Sequence, residues 1–210
     1  MKRFDIITEV EARGLARGET VELSPRGHVT PLAQDTLRDR RITVVREGRA
    51  SDADATLAPA AEIRTLAVAS DHTGVALRRT LIAFLRGRGL AVQDLGTDGS
   101  DPVDYPDVAA AVARTVARGE ADAGIVIDGA GIGSAIAANK VRGIRAVMAT
   151  DETIARYSRQ HNGANVLALG SSLLQPDVAL RIIDVWLSTP MTEARYIRRL
   201  LKVRRLEDSF

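Results

Sequence analysis

From Thr65 onward the sequence predicts an α/β fold: a doubly wound, Rossmann-like sheet of five parallel strands, preceded by a small N-terminal α+β extension. Three observations carry that prediction. Short apolar runs alternate with longer amphipathic stretches, the pattern of a parallel sheet with helices on both faces. Aromatic residues are only 3% of a chain that is 45% hydrophobic, so the core must be Ala, Val, Leu and Ile, as in packed α/β layers. The turns after the apolar runs carry Asp71-His72, Asp128-Gly129, Asp151 and Gly170-Ser171-Ser172, along the one edge where such sheets gather ligands.

Taken in order, residues 1–48 read as a unit of their own. A short helix starts at Thr8, with Glu11 placed to complete a capping box. Thr20 to Pro25 alternates like a strand and is expected to stop at the proline. Thr30-Pro31 opens a second helix as cap and first-turn proline, and Arg41 to Arg46 is a further strand. Residues 49–63, small, polar and Pro-containing, read as a linker, leaving 64–210 as the main domain. There, strands are expected at 66–69, 90–95, 123–127, 144–148 and 166–169. Helices are expected at 75–88, with an apolar stripe of Leu77, Leu81, Phe84 and Leu85, and at 105–118, 132–140, 152–160, 176–187 and about 191–206.

Bulk composition excludes several functions. A net charge of +2 is too small to argue for nucleic acid, and the Arg excess is confined to 195–205 without interleaved aromatics. With no cysteine there is no disulfide framework, thiolate metal site or thiol nucleophile. No His/Glu spacing suggests a metal site. No apolar run approaches a membrane span, and the N-terminus lacks a signal-peptide core, so the expected location is cytoplasmic.

Residues 123–140 hold the densest chemistry. A buried strand ends at Asp128, glycines follow at 129, 131 and 133, and an Ala-rich helix ends at Asn139-Lys140. Two readings are open: an anion-binding corner where backbone N–H groups meet a ligand, or a tight turn whose Asp caps the helix. His72 lies beside Asp71 in a strand-to-helix turn; His161-Asn162 ends a helix, where a His also serves as a dipole-complementing cap. Two His and two Asp are expected to converge on the ligand edge. In the last helix Arg195 and Arg199 share a face and could clamp one phosphate, or simply form a solvated basic surface.

Together these pieces resemble the ribose-5-phosphate isomerase B family, which also includes the galactose-6-phosphate isomerase subunits. The resemblance rests on Ser70-Asp-His-Thr-Gly, Asp104-Tyr-Pro-Asp, the run Gly129 to Lys140, Gly143-Ile-Arg-Ala-Val, and Ser158-Arg-Gln-His-Asn-Gly-Ala-Asn-Val-Leu-Ala-Leu-Gly. It spans residues 64–207 in the family's order. It implies an aldose–ketose isomerase of phosphorylated sugars, needing no metal or other cofactor, as a homodimer or tetramer with each active site built from two subunits. By the family's pattern His161 would open the sugar ring with Asp71 assisting, and a base would move a proton between C1 and C2 through an enediolate. Backbone N–H groups of 129–133 would hold the oxyanion. His72, Arg195 and Arg199 would bind phosphate, with Tyr105 and Asn162 lining the pocket.

The chain departs from that pattern in three places. One branch has a Cys base where this chain has Asp128, and another a Glu where it has Ser134; Asp128, its basicity tuned by burial, is the expected substitute. Ser172 replaces an Arg that many members use for phosphate, and Ala130 replaces a Thr or Ser. These changes leave room for a tetrose or other sugar phosphate, or for a non-catalytic sugar-phosphate-binding subunit. Residues 1–48 resemble segments attached to enzymes of bacterial microcompartments, which implies targeting to a shell, assembly with cargo proteins, or an added dimerisation arm.

Overall fold

A computed structural model describes residues 2–46, 62–99 and 101–207. The chain divides into two compact units, Met1–Leu57 and Ala58–Phe210. The linker expected at 49–63 lies outside the described residues as far as position 61.

In the small unit strands and helices alternate: β1 Arg3–Ile7, α1 Glu9–Gly14, β2 Thr20–Val29, α2 Pro31–Asp39 and β3 Thr43–Arg46. The sheet order is β1-β2-β3 and both pairings are parallel. The Glu11 carboxylate accepts the Thr8 backbone N–H at 2.9 Å, fixing the start of α1. Ile7, Val21, Leu23, Ala33 and Leu37 form the core.

Two features differ from the sequence reading. β1 was not anticipated, because Arg-Phe-Asp-Ile-Ile does not alternate cleanly. β2 also does not stop at Pro25; it continues to Val29 through an irregularity, where Phe4 pairs with Leu23 but Ile6 already pairs with His28. Among the described residues the pairing to β3 reaches Leu23, and Pro25 lies in the irregular stretch of the ladder to β1, where a missing N–H is tolerated.

The large unit is a five-stranded parallel sheet in the order β5-β4-β6-β8-β7. Its strands are β4 Thr65–Ser70, β5 Ala91–Asp94, β6 Ala123–Asp128, β7 Ala146–Met148 and β8 Val166–Gly170. Its helices are α3 Val75–Gly87, α4 Tyr105–Ala117, α5 Ile132–Ala138, α6 Glu152–Asn162, α7 Pro176–Ser188 and α8 Ala194–Glu207. The doubly wound α/β prediction holds, with element ends within a few residues of those expected.

The sheet's two faces use different residue sizes. Leu66, Val68, Ile125, Ile127, Leu167 and Leu169 point to α3 and α7, where Leu77, Leu81, Leu85, Ile182 and Trp186 meet them. Ala67, Ala69, Val126, Val166 and Ala168 point to α4 and α5. The small side lets α4 approach so closely that a Cβ at Gly124 would overlap Val112. Among the described residues no helix is long and apolar enough to cross a membrane.

Candidate active site

At the carboxyl edge of the sheet, the ends of β4, β6 and β8 lie side by side, so Asp71, Asp128 and Gly170 are neighbours. Asp71 is buried and caps the 3-10 turn His72–Gly74. Its Oδ1 accepts the Thr73 N–H at 2.9 Å, the Thr73 hydroxyl at 2.6 Å and the Gly74 N–H at 3.2 Å. His72 is exposed, and its Nδ1 accepts the Val103 N–H at 3.2 Å. That bond places the ring proton on Nε2, which faces outward as a donor suited to a phosphate oxygen.

The glycine corner is shaped by close approach. Gly131 has φ +78°, and a Cβ there would lie 2.9 Å from the Leu169 carbonyl carbon. Gly133 supports the Tyr105 ring, whose Cε2 would stand 2.6 Å from an added Cβ. Gly129 instead opens onto space, with the Thr73 and Ser172 hydroxyls each 3.8 Å from the position of a Cβ. The Ser171 hydroxyl donates to the Asp128 carbonyl at 3.1 Å and lies 3.5 Å from the Thr73 hydroxyl. Thr73 and Ser171 therefore join the site without having been assigned a role from sequence.

At Asp128 the corner takes the second of the two readings, a tight turn whose carboxylate caps the helix, rather than an open anion site. Asp128 Oδ1 accepts the N–H groups of Ala130 (2.8 Å) and Gly131, and its Oδ2 accepts the Ser134 N–H at 2.8 Å. The corner's N–H groups at 130 and 131, expected to await an oxyanion, are occupied by the chain's own carboxylate. Burial pushes the Asp128 carboxyl up, but the Ser134 hydroxyl beside it and the N–H groups of Gly131, Ser134 and Ala130 outweigh burial and hold it below its ordinary value. The buried Ser134 Oγ meets no partner at full hydrogen-bond geometry, so its share is that of a nearby dipole.

His161 and Asn162 do not join this edge within one chain, contrary to the expected convergence. Helix α6 begins at the carboxyl edge, where the Asp151 side chain caps it through Thr153 and Ile154. It then runs back along the sheet, and Gly163 to Asn165 sit beside the starts of β6 and β7: the Gly124 N–H donates to Asn165 O at 2.9 Å, and Asn165 N–H to Arg145 O at 3.1 Å. His161 is thus at the amino edge. Its ring stacks on Tyr157 (centroids 4.7 Å, 19° between planes) and tilts against Tyr196 at 4.7 Å.

This second edge is cationic. Arg195 and Arg199 place their guanidinium carbons 4.9 and 5.7 Å from the Tyr196 ring centroid. Arg195 also pairs with Glu193 at 2.6 Å, so it is less available than Arg199. Arg199, His161 and Asn162 line a cleft of about 430 Å³ with Arg145, Ile144 and Leu200. Burial lowers the pKa of Arg145 below its ordinary value, against the Glu207 carboxylate, and burial beside Arg145 brings Arg159 down to about 10. Tyr157 and Tyr196 were missed as neighbours of His161, although the i, i+4 spacing of Tyr157 and His161 signals their stacking. Among the described residues no group of His, Asp and Glu is gathered as a metal site would need.

Residues 66–203 match the Ribose/Galactose Isomerase family. Ribose-5-phosphate isomerase B of Escherichia coli (strain K12) is 42% identical over 145 residues, covering 69% of this chain and 97% of the relative. The solved structure of Clostridium thermocellum ribose-5-phosphate isomerase B is 46% identical, with a TM-score of 0.67 over 69% of this chain and 97% of that one. That of the Mycoplasma genitalium enzyme with bound ribulose-5-phosphate is 37% identical, with a TM-score of 0.67 over 70% and 97% of the two chains. With a match across most of the chain and relatives covered almost end to end, the chain belongs to the Ribose/Galactose Isomerase family.

Proposed function

We propose that the chain isomerises ribose 5-phosphate and ribulose 5-phosphate, moving a proton between C1 and C2 through an enediolate, in sites shared by two copies. One observation carries this reading: the carboxylate and glycine corner lie at one edge of the sheet, and the His161–Arg199 cluster at the other. Helix α6 has 11 residues. At 1.5 Å per residue it separates the two edges by about 16 Å, too far for one pentose phosphate. A second copy related by a two-fold axis brings the amino edge of one chain to the carboxyl edge of the other. Exposed apolar side chains on α5 and α6 (Ile132, Ile136, Ile154 and Tyr157) offer the partner a surface on that side.

In this mechanism Asp128 is the base. Hydrogen bonding makes it a weak one, and the same donors offset part of that weakness: a carboxylate that has taken the C–H proton releases N–H groups 130 and 131 to the new enediolate oxygen. The partner's His161 protonates the ring oxygen, assisted by Asp71. His72 through Nε2, with the partner's Arg195 and the partner's Arg199, holds the phosphate, and Tyr105 and the partner's Asn162 bound the pocket.

The test is turnover of ribose 5-phosphate in metal-free buffer by the wild type and Asp128→Asn. Loss of roughly 10²-fold or more is expected on removing the base. Equal rates would exclude Asp128 from the proton transfer. No turnover by the wild type would move the reading to a tetrose or other sugar phosphate, or to a sugar-phosphate-binding subunit.

For residues 1–48 the reading is an assembly or targeting module, directing the enzyme to a microcompartment shell or to other cargo. The family match begins only at residue 66, and the small unit exposes Ile6, Val10 and Leu32. Retention of a shell protein by the full chain, lost when these three side chains become Ser, is the expected result.

A further inference from the structure

We infer that Arg78, which no step above uses, is the positioning residue for the wall of the site that carries Tyr105 and the hydrogen-bond partner of His72; the inference rests on the isomerase reading. Arg78 sits in the apolar stripe of α3 and is 0% exposed. A buried guanidinium is tolerated only where its charge is paired and its donors are engaged. Its partners come from two separate parts of the unit. Nη1 donates to the Ser70 hydroxyl at 3.3 Å, one residue before Asp71. Nη2 donates to Asp98 at 2.8 Å, and Nε lies 3.2 Å from Asp94.

Between these two aspartates the chain passes directly over the guanidinium. A Cβ at Gly96 would overlap Nη1, so a side chain there would have to displace the guanidinium. The segment starts from a ladder bond, Leu95 N–H to Val68 O at 2.8 Å, and Asp98 also lies 3.5 Å from the exposed Arg79. Its further bonds are short-range, Gly96 N–H to Asp94 at 3.1 Å and Gly99 N–H to Thr97 at 3.2 Å. Its far end reaches the site. The Val103 N–H sets the His72 tautomer, and Tyr105, the first residue of α4, lays its ring on Gly133. Arg78 therefore fixes the start of a segment whose end orients two substrate-facing side chains. A planar fork can engage the end of β4 and the segment at once, which a single ammonium cannot do.

Asp98 is 75% exposed, so Asp98→Asn loosens the clamp without stranding a buried charge. The experiment compares Asp98→Asn and Arg78→Lys in the full chain, each alone and combined with His72→Asn, by ribose 5-phosphate kinetics and by amide exchange at Val103. Both variants should raise KM roughly 3- to 10-fold with kcat nearly unchanged, because orientation of binding groups is lost rather than chemistry. Val103 exchange should quicken about tenfold while amides of β6 and β8 keep their rates. In the His72→Asn background either variant should add less than it does alone, since only the share that runs through Tyr105 remains. Wild-type KM and unchanged Val103 exchange in folded Asp98→Asn would overturn the inference, as would KM losses that multiply fully with that of His72→Asn. Should Arg78→Lys not fold, Asp98→Asn decides alone. If the wild type turns over no sugar phosphate, the isomerase reading fails by itself, and Val103 exchange still decides the clamp.

Discussion

The two edges of the five-stranded sheet make opposite electrostatic choices. The carboxyl edge buries two carboxylates, Asp71 and Asp128, and surrounds them with backbone N–H groups and hydroxyls. The amino edge gathers Arg145, Arg199 and His161, with aromatic rings as spacers. In the proposed reading each end of a phosphorylated sugar draws on both edges: the reacting end on Asp128 and the partner's His161, the dianionic end on His72 and the partner's Arg199. One chain thus presents both halves of the recognition problem on faces pointing away from each other. On the proposed reading, a complete residue set in the sequence is not a complete site in one copy of the chain.

The strongest way to break this comparison is to separate the halves genetically. Asp128→Asn and His161→Ala are each expected to lose ribose 5-phosphate turnover by about two orders of magnitude. Co-expressed, they should recover about a quarter of wild-type activity, because half of randomly formed dimers carry one intact site of two. No recovery from mixed, correctly folded dimers would put both residues in the same subunit's site.

Smaller in effect is the amino edge alone. Arg199→Ala should raise KM by about tenfold or more at similar kcat, the loss of a charge-assisted contact to phosphate. Arg195→Ala should do less, since its guanidinium already serves Glu193. Initial-rate kinetics on the two variants would reverse the ranking if Arg195 were the main ligand.

The smallest effect concerns the carboxyl edge. Asp128 is held below the ordinary aspartate value of about 3.9, so its contribution to stability is present above that pH and fades as pH falls through the lower folded value. Thermal unfolding followed from pH 7 to 3 should show the wild type losing its margin over Asp128→Asn below about pH 4. A margin that already shrinks near neutral pH would mean a raised carboxyl, and with it a stronger base than the hydrogen bonds allow.

Much of this was legible in the sequence, and the exceptions have physical causes. The central strands β4, β6 and β8 were readable because a buried parallel strand is a continuous apolar run, and Asp71, Asp128 and the glycines lie at or just after the ends of β4 and β6. In the small unit the run around Pro25 misled, since a proline tells of a missing donor but not of a bulge that makes the donor unnecessary. The separation of His161 from Asp128 was implicit in the length of α6, a helix that must end far from where it starts. That Asp128 turns back onto its own glycine corner is one of the two readings the sequence leaves open, a tight turn whose Asp caps the helix; choosing between them takes a side-chain rotamer that spacing does not fix. Arg78 carried one clue: a charge set beside Leu77 and Leu81 in a helix whose apolar face is buried.

Trp186 is the chain's one tryptophan, fully buried on α7 with the Arg159 guanidinium 5.0 Å from its ring centroid. All three tyrosines are likewise in the large unit. Fluorescence excited at the indole band is therefore a reporter of one unit only, while far-ultraviolet dichroism sums both. Melting curves from the two probes coincide if the units unfold together and part if they do not. The placement of the aromatic residues thereby gives the large unit an optical signature of its own without a label.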